Sequence, residues 1–331
     1  MAIPVRAQPA APDSNLLAPP TPVPWSHTSV SIIGRNGQGE EIPLTALQGS
    51  KWPNAIMQPG ATGLDMPPFG VFSDESPNLD GSIFRSARAA AREVMIPVYL
   101  HGIDRQTVNA MKRKFFQSLN PKRGYCLIRF TEGNGRSRQL TAYYKGGMEG
   151  AEGEAGGFTW AKYGLQFTAM DPWFYPTTWQ TSKWSFGAGD PLLSTINSFF
   201  PLHISDGVLG GAGEALTISN PGDIEAWPVW KLYGPIKSFT LDSPDGDSIT
   251  ASPPSDGTDL VATGRVLTID TRPGRKTVRD DRGVNYWAKL DAAPQFWSVE
   301  PGDTSASISV VTGSGKASVV LTFQPRYASF I

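Results

Sequence analysis

Residues that could do chemistry are few in this chain and poorly grouped. The three histidines, His27, His101 and His203, lie far apart, and none forms an i, i+4 pair or neighbours Cys126, the single cysteine. That spacing offers no zinc site, and without a G-x-S-x-G elbow there is no local signature of a hydrolase nucleophile. Thr312-Gly-Ser-Gly-Lys316 has the end of a phosphate loop, but Val310 replaces the first glycine, Ala317 replaces the hydroxyl residue and strands flank it. It therefore reads as a hairpin turn. Gly34-x-x-Gly37-x-Gly39 likewise lacks the helix and distal acid of a dinucleotide site. Two acidic clusters, Asp242/Asp245/Asp247 around Gly246 and Glu149/Glu152/Glu154 among glycines, have carboxylates for a hard cation. Neither has the alternating ligands and terminal Glu of a calcium loop, so solvated turns are expected. The expectation is a protein with no catalytic residues, no metal and no cofactor.

Two further groups could recognise a partner. Trp227, Trp230, Trp287 and Trp297 have ring faces suited to sugars, yet indoles inside strands or beside prolines belong more often in a core or interface. The basic residues Lys112, Arg113, Lys114, Lys122 and Arg123 could meet phosphate, but aromatic residues do not interleave with them. The charge is segregated: residues 1–80 sum to −4, residues 81–140 to +9 and residues 172–331 to −4. Head-to-tail pairing of this basic band with acidic segments of a neighbouring subunit is the expected use.

The elements that would carry these residues are mostly strands. Thirty-five glycines and 29 prolines in 331 residues interrupt long helices, and the length suits two cores. Residues 1–28, with seven prolines, read as an extended arm. A strand at Thr28–Ile33 with a turn after it is followed by a stretch, 49–82, whose five prolines read as irregular loop. Ala91–Leu100 is extended. Asp104 caps a helix whose Val108, Met111, Phe115 and Leu119 share a face, with Lys112 and Arg113 opposite and Asn120-Pro121 as the stop. Strands at Tyr125–Phe130 and Arg138–Lys145 flank the Glu132-Gly-Asn-Gly135 turn.

The glycine-rich loop from Gly146 to Gly157 leads into a long strand. There Phe158 and Trp160 are out of phase with Tyr163, Leu165, Phe167 and Ala169, which predicts a β-bulge near Ala161 or Lys162. Asp171-Pro172 ends that strand. Beyond Phe186, seven short strands are expected at 215–219, 228–233, 248–251, 266–271, 285–290, 305–311 and 316–323, with no helix between them. The fold class expected is mainly β with one or two helices: an arm at 1–28, an α+β domain at 29–185 and a β-sandwich at 186–331. The lone cysteine excludes an intrachain disulfide. A net charge of −1 gives no global pull toward nucleic acid or an anionic membrane. No secretory signal or run of about 18 apolar residues is present, so a product made in the cytoplasm is expected.

Four phrases, in order along the chain, resemble siphophage distal tail proteins: Phe167-Thr-Ala-Met-Asp-Pro-Trp-Phe-Tyr175, Asn220–Pro235, Gly264–Pro273 and Phe296–Gly302, with Pro325-Arg-Tyr327 as a closing echo. The resemblance spans roughly residues 85–330. It implies an N-terminal ring-forming domain, a galectin-like C-terminal sandwich and a homo-hexamer at the virion tail tip. In that arrangement the ring joins the tail tube protein to the hub and the tape measure protein, and DNA passes through the lumen. A carbohydrate-binding sandwich for host-surface glycan is the alternative.

Overall fold

The computed structural model describes residues 28–45, 54–75, 77–78, 80–149, 159–187, 215–313 and 315–331. The proline-rich arm, except Thr28, lies outside the described residues, as do His27, His203, Glu152, Glu154, Phe158 and most of the Gly146–Gly157 loop.

The first half contains β1 (Ser29–Ile33), β2 (Glu41–Pro43), β3 (Asn54–Met57), β4 (Phe69–Glu75), β5 (Ser82–Ala89), β6 (Arg92–His101), α1 (Arg105–Leu119), β7 (Cys126–Thr131), β8 (Ser137–Gly146), β9 (Trp160–Ala169) and β10 (Tyr175–Pro176). One antiparallel sheet runs β2-β1-β7-β8-β9-β6-β3, with β10 added to β8. Leu44, just past β2, donates to Val30 and accepts from Met57 at 2.7 Å in each bond, linking the two ends of the sheet into a barrel.

Strand periodicity accounts for the barrel core. In β6 Val94, Ile96, Val98 and Leu100 point inward, matched by Cys126, Ile128 and Phe130 of β7 and by Leu165, Phe167 and Ala169 of β9. Burying each such aliphatic or aromatic side chain contributes roughly 1.5–3 kcal/mol. The helix starts where Asp104 Oδ1 accepts the Thr107 amide at 2.7 Å and its hydroxyl at 2.6 Å, and it lays Val108, Phe115 and Leu119 on the barrel. Gly34 is required under its C-terminus, because a Cβ there would sit 2.0 Å from the Ser118 carbonyl oxygen.

The second half comprises β11 (Gln180–Phe186), β12 (Ala215–Asn220), β13 (Val229–Tyr233), β14 (Ile236–Asp242), β15 (Ser248–Ala251), β16 (Val266–Asp270), β17 (Thr277–Asp280), β18 (Gly302–Thr312) and β19 (Ala317–Phe323). Sheets β11-β19-β13-β16-β17 and β12-β18-β14-β15 enclose one core. Three indoles fill its middle: Trp230 lies 6.3 Å from Trp184 and 5.4 Å, edge-on, from Trp297, whose Nε1 donates to the Leu241 carbonyl at 3.1 Å. The last strand, expected at 316–323, alternates cleanly, with Ala317, Val319, Leu321 and Phe323 all buried.

Four local expectations need correction. Residues 49–82 are not an irregular loop, since their described part contains β3, β4 and the first residue of β5; Pro67 and Pro68 precede β4 and interrupt no ladder. No bulge occurs near Ala161, because β9 pairs with β6 in unbroken register from Ala169 to Trp160. The shift lies in β8, between Tyr144 and Gly146, and the apparent phase change arises because Trp160 faces outward. Residues 285–290 form a tight turn and a 3-10 turn (Trp287–Lys289) rather than a strand, since Asn285 Oδ1 captures the Trp287 amide at 2.9 Å. Lys112 is buried on the helix rather than on its solvated face.

Candidate interaction surfaces

The residues that could have done chemistry are dispersed. His101 ends β6, while Cys126 is fully buried, its thiol directed to the Ser118 carbonyl, and burial raises its pKa to about 11. Gly313 to Lys316 joins β18 to β19. Asp245 and Asp247 donate their amides to Ser243 Oγ in the turn between β14 and β15, and Glu149 accepts the Gly147 amide. Among the described residues no three His, Cys, Asp or Glu side chains converge on a point that could hold a metal ion. No helix among them is long and apolar enough to cross a membrane. Within the basic band Lys114 pairs with Glu40 of its own chain at 2.7 Å.

Of the four tryptophans singled out, Trp230 and Trp297 are core and Trp227 is half-buried. Trp287 is 42 % exposed, stacked on Phe296 at 5.1 Å, with Lys276 over the Phe296 ring and Lys289 over Tyr286.

The two halves are joined by a device that spacing could not reveal. After β19 the chain leaves the sandwich, and Tyr327 exchanges backbone hydrogen bonds with Phe174, 2.9 Å each way. Phe330 then stacks on Phe130 of the barrel core at 4.5 Å and meets Phe174 edge-on. Arg92, at an inward position of β6 and 1 % exposed, donates to the carbonyls of Gly63, Asp65 and Ala328 at 3.1, 2.6 and 2.7 Å. Its guanidinium lies 5.0 Å from the centre of the Phe174 ring, and burial lowers its pKa to about 10, partly offset by Asp65. Arg138 covers the Tyr327 ring at 3.6 Å and donates to the carbonyls of Ser329 and Ile331. Tyr175 donates to Asp171 at 2.6 Å, and burial together with that carboxylate pushes its phenol pKa up. The aromatics from Asp171 to Pro176 thus form a seam, closed by a tail more than 150 residues later in the chain.

The hairpin β4–β5 is a separate two-stranded sheet. Cross-strand partners share a face and the bulge resets the parity of β5, which puts Phe69, Val71 and Phe84 on one side and Phe72 and Ile83 on the other. All five are exposed, Val71 and Phe84 by 64 % each. A two-stranded ribbon is marginal in water by itself, and its anchorage is slight: Ala90 donates to Pro68 at 2.8 Å and Phe69 meets Trp173 edge-on. Such a ribbon, apolar on both faces, has the composition of an unfinished interface.

At the other end of β6 lies a cavity of about 430 Å³ lined by Ile56, Gln58, Tyr99, Trp160 and Lys162. The register explains the grouping, for Ile56, Tyr99 and Lys162 are cross-strand neighbours on β3, β6 and β9, and Trp160 is two residues from Lys162. Tyr99 and Trp160 lie 6.1 Å apart with the Lys162 ammonium near both rings. The phase break at Trp160 was the signal in the sequence that could have marked this site.

Residues 67–149 match the family model for the phage tail protein RIFT-related domain of siphophage tails. The Dit protein of phage SPP1, described as a paradigm of the hub adsorption apparatus in phages infecting Gram-positive bacteria, shares the fold. Its identity to this chain is 13 %, its TM-score 0.59, and the match covers 89 % of this chain and 98 % of that one. The phage P2 baseplate, in its activated conformation with calcium, contains a chain of 8 % identity and TM-score 0.48, over 92 % of this chain and 99 % of that one. No curated protein is matched by sequence. The chain thus carries a phage tail RIFT-related domain at residues 67–149 and shares its overall fold with the SPP1 Dit protein.

Proposed function

We propose that the protein builds a ring at the distal end of the tail, joining the tail tube to the hub and leaving a channel through which DNA passes. In this reading six copies assemble through their barrel halves, while the sandwich, galectin-like in its architecture, faces outward as an adaptor. The hub, the tail tube protein and the tape measure protein are its partners. The observation that carries the reading is the β4–β5 hairpin, an apolar ribbon inside the matched segment whose large apolar side chains stay exposed among the described residues. A heterologous contact repeated around an axis closes into a ring when its rotation divides a full turn. Light scattering on the purified protein, paired with electron micrographs, tests this: annular particles of six subunits are expected. A strict monomer at high concentration, unchanged by added tail proteins, overturns it.

A second reading rests on Trp287. Its exposed ring, backed by Phe296 and flanked by Lys276 and Lys289, would suit stacking against a sugar on the host surface. Glycan-array binding lost on Trp287→Ala supports that reading, and an array without signal removes it.

A further inference from the structure

Two surfaces of the barrel half are each incomplete, and they lie at opposite ends of β6. The hairpin joins the chain just before Arg92, and the aromatic cavity surrounds Tyr99, seven residues on. At ~3.3 Å per residue that is about 23 Å, so a ribbon without packing contacts along the barrel does not fill the cavity of its own chain. The ribbon face carrying Val71 and Phe84 also carries Glu75, which pairs with Ser82 across the strands, and near the tip Asp80 adds a second exposed carboxylate. Asp74, by contrast, is on the other face and is paired with Arg85 at 2.5 Å. The cavity offers the complement: two aromatic rings and Ile56 for apolar side chains, and an exposed ammonium, Lys162, for a carboxylate.

We propose that the Val71/Phe84 face of the β4–β5 hairpin docks into the Ile56–Tyr99–Trp160 cavity of a second copy of this chain, with Glu75 paired to Lys162. Knob and hole are different patches, so the contact is head-to-tail and propagates from copy to copy. The proposal deepens the ring reading and rests on it: it names the two surfaces that meet. It also accounts for the outward Trp160 and for the bulge between Phe72 and Ser73, which changes the direction of the ribbon partway along.

Cross-linking between two tagged variants tests the pairing. Ser73→Cys lies on the Val71/Phe84 face and Gln58→Cys at the cavity rim, while the native Cys126 thiol is buried. Mixed and treated with a short bis-maleimide, the two variants are expected to form a heterodimer absent from either alone, and the variant carrying both cysteines a ladder of multimers. Lys162→Glu is expected to lower the heterodimer yield about tenfold, and Glu75→Lys on the hairpin-donating variant to restore it. No mixed cross-link from a sample that light scattering shows to be oligomeric overturns the pairing and leaves the ring standing. No cross-link from a strict monomer overturns both. A cross-link indifferent to the charge swap overturns the Glu75–Lys162 register.

Discussion

The sandwich and the barrel are built by the same strand alternation, yet they treat their apolar residues differently. The large apolar side chains of the sandwich core, from Trp184 to Phe323, are closed off between two sheets, with Tyr233 and Val311 left at the surface of their strands. The barrel buries an equally continuous core but then adds a ribbon whose five large apolar side chains stay in solvent. Leaving that much apolar surface open opposes folding of an isolated chain and favours association. The contrast separates a unit closed by its own strands from one that, in the proposed ring, a neighbouring copy completes.

The largest effects should come from the seam between the halves. Arg92→Ala strands three carbonyl groups, and at roughly 1–3 kcal/mol for each buried unsatisfied group it should cost several kcal/mol in chemical denaturation. Trp230→Ala should cost about 3–5 kcal/mol by emptying the centre of the sandwich, with assembly of the remaining folded protein unchanged. If it abolished assembly while the fold survived, the division between the two halves would fail.

Cys126 gives a pH test. Its pKa is raised from 9.0 unfolded to about 11 folded, so the protective effect of burying the neutral thiol is intact below pH 9 and is lost as pH rises toward 11. That shift corresponds to a few kcal/mol at most, on the order of 3, seen as a steeper alkaline loss of stability in the native protein than in Cys126→Ala. Smallest in stability but decisive for the comparison, Val71→Ser with Phe84→Ser should move the unfolding free energy by no more than about 0.5 kcal/mol per site while removing association in light scattering. A large loss of monomer stability would show that the hairpin packs within its own chain. At the exposed helix start, Asp104→Ala should lower the thermal midpoint at neutral pH. The difference should fade as acid protonates the Asp104 carboxylate, whose pKa the Thr107 hydroxyl and amide hold below the ordinary value.

Local patterns were legible wherever one face met one core. The α1 cap at Asp104, its stop at Asn120-Pro121, the β7–β8 hairpin and the alternation of β19 could all be read because each depends on a few neighbouring residues. The resemblance to siphophage distal tail proteins was carried by such phrases. The β4–β5 hairpin escaped notice because both its faces are mixed and neighbouring prolines suggested a loop, and the 3-10 turn at Trp287 because an Asx turn overrode its strand-like composition.

What the sequence determined by itself was the class of the protein: strands punctuated by turns, one capped helix, and a sparse, scattered set of reactive groups. Tertiary structure alone decided which strands close the barrel, that Arg92 is buried to hold a distant tail, that Lys112 is inside and Trp160 outside, and that hairpin and cavity sit at opposite ends of β6. The reason is physical. Propensity and periodicity act over a few residues, whereas burial, pairing order and the placement of complementary surfaces depend on contacts between residues a hundred or more positions apart.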